Sequence, residues 1–129
     1  VSLIAAERAE AGPAPLADVL GRILSDEVQH ARFGWKLMGQ LAPRWQQDDA
    51  LRARLGAWLR VAFAHLEAHE LEHLPATAST PERTALGACD GRAARALFYE
   101  TVETVIVPQL DALGLDASTA WETRLGPDA

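Results

Sequence analysis

The chain has 129 residues, enough for one domain with a real core and too few for two. Hydrophobic residues make up 49% of it, Ala and Leu dominate and β-branched runs are few, which favours helix over strand. A formal net charge of -6 with no basic stripe excludes nucleic acid as the expected partner, and no apolar run approaches the roughly 18 residues that span a bilayer.

The first helix is expected from Val1 to about Ala11, where Gly12-Pro13-Ala14-Pro15 breaks it. It starts without Met and without a signal-peptide pattern. The second helix is expected from Leu16 to Leu41, stopping at Ala42-Pro43. A third begins after Asp48-Asp49, whose side chains suit an N-cap and the helix dipole. It carries Leu51, Leu55, Leu59, Ala62, Phe63 and Leu66 and ends at Leu74-Pro75. The stretch Glu82 to Asp90 favours no single state. A fourth helix begins near Gly91, with Pro108 expected to kink or end it. Asp116 is the expected cap of a last short helix containing Trp121. One cysteine, Cys89, excludes an internal disulfide framework, so the reducing cytoplasm is the expected compartment.

The second helix carries the chemistry. Leu16, Leu20, Ile23, Glu27, His30, Gly34, Leu37 and Leu41 recur at alternating steps of four and three, the period of one helix face. That face is expected to enter a core, with Glu27 and His30 in its middle. A buried carboxylate requires a partner, because leaving it unpaired costs several kcal/mol. A Glu-x-x-His pair projecting into a bundle is one way to hold a non-haem di-metal centre. The bland alternative is a core His30 hydrogen-bonded to Glu27 with no metal.

The string Ile23-Leu24-Ser25-Asp26-Glu27-Val28-Gln29-His30-Ala31-Arg32-Phe33-Gly34-Trp35 resembles the second metal-binding helix of ferritin-like di-iron carboxylate proteins. Phe98 to Leu115, with Val107-Pro108-Gln109-Leu110, is similar to their C-terminal helix. The resemblance implies an all-α, ferritin-like helical bundle, with residues 1–129 as a single helical domain forming the C-terminal part of a larger one, and with extra helices after it. It implies Glu27 and His30 as metal ligands, iron as the cofactor with manganese as the other candidate, and an oxidoreductase or oxygenase activity. It also implies that Asp26 orients the metal-bound histidine of a facing helix; an exposed Asp26 with no role is the alternative.

A site of this kind takes two Glu-x-x-His helices and one Glu from each of two others. Glu27 and His30 supply one motif. The level-matched Glu on the first helix falls near Val1 or upstream, since Glu7 is roughly 9 Å off that level. The first helix is also too short to cover the second. The expected partner is therefore a missing N-terminal segment or a second subunit, with a homo-oligomer among the outcomes, and an apolar stripe near Ile23, Gly34 and Leu37 left exposed without it. A rival reading completes the site within the chain from Glu70, His73, Glu100 and Glu103. Against it, Glu70 and His73 occupy a last helical turn, where the dipole favours a surface His, and Glu100 and Glu103 point away from the apolar face of their helix. The cluster His65, Glu67, His69, Glu70, Glu72 and His73 is expected to be a solvated face. The competing function is a metal-free helical interaction or structural module with an incomplete metal site.

Overall fold

The computed structural model describes residues 1–124, and every regular element among them is helical. The chain is all-α. Its helices are α1 (Ser2–Glu10), α2 (Ala14–Gln46), α3 (Asp49–Glu72), α4 (Pro81–Ala85), α5 (Gly91–Thr101), α6 (Val107–Ala112) and α7 (Ala117–Glu122), with a π-helical turn at Val102–Ile106. No helix among the described residues is long and apolar enough to cross a membrane. The chain forms two compact units, each assembled from two separate stretches.

The first unit combines Val1–Trp35 with Leu74–Thr101. Within it α1 packs on α4 and α5. The stretch between α3 and α5 is organised by short-range polar bonds. Thr80 caps α4, accepting from the Arg83 amide at 3.4 Å, and Pro81 supplies the preset φ of a first helical turn. Asp90 caps α5 with one oxygen, accepting from the Ala93 amide at 2.9 Å and the Arg92 amide at 3.0 Å. Its other oxygen accepts from the Ser79 amide at 2.8 Å, tying the loop to the helix start. Gly91 follows because a Cβ there would sit 1.6 Å from the Pro75 carbonyl oxygen, so only glycine permits the approach.

The second unit combines Lys36–His73 with the chain from Val102 onward and contains most of the buried core. Asp48 caps α3 by accepting from the Leu51 amide at 2.9 Å, as the sequence led us to expect. α3 packs on α7, burying Leu59 and Phe63 against Ala117, Ala120 and Trp121. The Phe63 and Trp121 rings meet edge to face, with centroids 5.3 Å apart. Arg124 lies 3.5 Å over the Trp121 ring and donates to both oxygens of Glu67, at 2.6 and 3.0 Å.

Two expectations require correction. α2 does not stop at Pro43. It continues to Gln46 because its last turn is anchored: Ala42 and Trp45 are buried, and the Trp45 indole and Gln46 amide both donate to the Leu113 carbonyl, at 2.9 and 3.0 Å. The fourth helix breaks near Pro108, as expected: it opens into the π turn and restarts at α6, where Pro108 occupies the first turn and needs no N–H partner. Asp116 stands at the N-cap position of α7 without a capping bond. Asp111 does that work from the preceding helix, accepting from the Ala117 and Ser118 amides at 2.6 and 3.2 Å.

The aromatic contact should dominate the stability of the second unit. Phe63→Ala is expected to lower the unfolding free energy by about 3–5 kcal/mol, measured by urea denaturation. In the first unit, bonds from Ala93 and then Ser79 hold the Asp90 carboxyl below its ordinary 3.8. A depressed folded-state value stabilises above the unfolded one and loses that stabilisation as pH falls through the folded one. The gap in urea midpoint between the native chain and Asp90→Ala should therefore be widest near neutrality and shrink below pH 3.8.

Candidate functional site

α2 has two apolar stripes, and the one that reaches the core is not the one carrying Glu27 and His30. It runs through Leu24, Val28, Ala31 and Trp35, half-buried in the first unit, and through half-buried Met38 and buried Ala42 and Trp45 in the second. This stripe has the same four-three period, rotated about 100° by a shift of one residue. Its buried members are Ala42 and Trp45, and burying them removes apolar area from water without burying an ionisable group. The expectation that Glu27 and His30 face a helical core is thus corrected, and the argument that a buried Glu27 needs a metal or other partner falls with it. The His30 side chain is 75% exposed and that of Glu27 45%.

The two side chains remain close to one another. Glu27 Oε1 and His30 Nδ1 lie 3.6 Å apart on successive turns. Around them Val19, Ile23 and Phe33 are exposed, Phe33 to 68%. A Cβ built on Gly34 would find no atom within 4 Å. Leu37, in the second unit, is also exposed. Of the three residues expected to be exposed, Ile23 and Leu37 are, while Gly34 is half-buried. Asp26 is exposed beside Glu27.

The other candidate ligands lie apart. Glu7 lines a cavity of about 60 Å³ with Cys89 and Asp90, and burial raises its carboxyl pKa. Burial raises that of the Cys89 thiol as well, helped by the negative charges of Glu7 and Asp90, which keeps the thiol in its unreactive form. His65, His69, Glu70, Glu72 and His73 are exposed, as expected for a solvated face, and the His69 and His73 rings meet edge-on at 5.4 Å. Glu67 is the exception within that cluster. Its side chain is 16% exposed and held by Arg124, a partner too distant in sequence to be read from the local pattern. Glu100 and Glu103 are exposed, and Glu103 accepts a long bond of 3.5 Å from the Trp121 indole. Among the described residues no group of three or more His, Cys, Asp or Glu side chains is arranged to hold a metal ion.

An open groove of about 640 Å³ in the second unit was not anticipated. Its floor is small, with Ala53, Gly56 and Ala57 from α3, and Arg52 and Arg60 stand on its walls. Those cations already serve the fold: Arg52 pairs with Asp49 at 2.5 Å and Arg60 donates to the Thr123 carbonyl at 3.2 Å.

No family model, curated protein sequence or solved structure matches this chain.

Glu100 and Glu103 should be dispensable for any metal bound at α2. The double variant Glu100→Gln/Glu103→Gln is expected to retain the metal stoichiometry of the native chain by elemental analysis. A fall to near zero would move the site to α5.

Proposed function

We propose that this chain is a ferritin-like di-iron carboxylate protein, an oxidoreductase whose α2 helix contributes Glu27 and His30 as iron ligands. One observation supports this reading: a carboxylate oxygen and an imidazole nitrogen lie 3.6 Å apart on successive turns of one helix, at the spacing of the motif. A carboxylate and a neutral imidazole are donors suited to iron or manganese, in contrast to the thiolates of structural zinc sites. The pair is half of what a di-iron centre takes, so the remaining donors must come from whatever covers the α2 face. Iron would supply the electrons for dioxygen chemistry. The chain's own residues bind and orient it, and the apolar Ile23 and Phe33 beside the pair would exclude water once covered.

A second reading has its own support. Exposed Val19, Ile23 and Phe33 on one helix suit a metal-free interaction module equally well. Anaerobic Fe(II) titration separates the two. The di-iron reading expects binding that is lost in Glu27→Ala and in His30→Ala, while the triple variant His65→Ala/His69→Ala/His73→Ala keeps it. Binding unaffected by the two α2 variants, or no binding at all, would leave the interaction module standing.

A further inference from the structure

We propose that His69 and His73 form a metal site of their own at the end of α3, one that takes a divalent ion of the zinc and copper class. The two residues are four apart, so their side chains stand one above the other on successive turns of one helix face. His73 is the C-cap residue of α3, but its backbone is still right-handed helical, so the spacing holds through it. Both side chains are exposed. Their ring centroids lie 5.4 Å apart, with the ring planes at 89°. Two imidazoles that share one tetrahedral ion, each bonded through nitrogen at about 2.0–2.1 Å, put their centroids roughly 5 Å apart. The two rings therefore already stand at chelating separation, and an ion bridging them would cost little side-chain freedom.

The surroundings favour a cation. The last carbonyls of α3 have no donor within the helix and make this end the negative pole of its dipole. Glu70 and Glu72 are exposed and flank the pair, each about 80° around the helix from it at roughly 100° per residue. Their charges add to the field that draws a dication and leave the space between the rings open. The donors then decide which dication. Paired imidazoles suit zinc, copper and nickel, and affinity at such donors climbs from Fe(II) through nickel to copper. The carboxylate and imidazole of Glu27 and His30 make a different donor set, on a different helix. Among the described residues no third His, Cys, Asp or Glu completes the pair, so the ion keeps water in its other positions and exchanges, unlike the ion of a closed structural zinc site.

This site uses neither Glu27 nor His30, so it stands or falls apart from the iron reading. Zn(II) added alone, followed by isothermal titration calorimetry, is the test. His69→Ala and His73→Ala should each weaken zinc binding by roughly tenfold or more, because a lone imidazole forgoes the effective concentration of its neighbour. His65→Ala should change it less than about twofold, although His65 is also four residues from His69, because it lies two turns from His73 and further from the negative pole. Nitrogen NMR of the histidine rings in the native chain gives a reading that needs no variant: Zn(II) should shift the ring nitrogens of His69 and His73 together. Zinc affinity that survives either variant, an equal loss in His65→Ala, or ring shifts confined to other histidines would overturn the site.

Discussion

A helix with apolar residues on two sides can cover only one of them with its own neighbours, and α2 is such a helix. The choice between its stripes decides what the molecule presents outward. In the second unit Ala42 and Trp45 are buried and the last turn is anchored to the Leu113 carbonyl. In the first unit Ile23, His30 and Phe33 are exposed and Glu27 is half-buried. A stripe able to mix a carboxylate, an imidazole and a bare Gly34 with apolar side chains is poor material for a dry core and good material for an interface.

The second unit shows how little material a small helical core needs when its contacts are well aimed. Phe63 and Trp121 supply the apolar bulk, Arg124 covers the indole face, and Glu67 fixes Arg124 with two charge-assisted bonds. Asp111 holds the start of α7 and so sets where Trp121 enters the core. The first unit is held differently, by caps and close backbone approach around Thr80, Asp90 and Gly91. Its buried residues are few.

What the residues announced in advance follows the range of the forces involved. The Asp48 cap, the break at Gly12-Pro13 and the start near Gly91 depend on neighbours a few positions away and were legible. The register of α2 was not, because two interleaved stripes share one period and only the three-dimensional partner of Trp45 decides between them. Pro43 was read as a stop for the same reason: its local cost is real, but a distant carbonyl offsets it. The Glu67–Arg124 pair and the Asp111 cap lie across loops that periodicity does not see. For the candidate site, the Glu27 and His30 pairing was legible from spacing, while its exposure was not.

The central proposal is that Glu27 and His30 are metal ligands on α2. X-ray absorption at the iron edge, on the chain loaded anaerobically with Fe(II), tests it most directly. The account predicts a first shell of oxygen and nitrogen donors with imidazole scattering that disappears in His30→Ala. An imidazole signature that survives His30→Ala, or a shell of water oxygens alone, would contradict it.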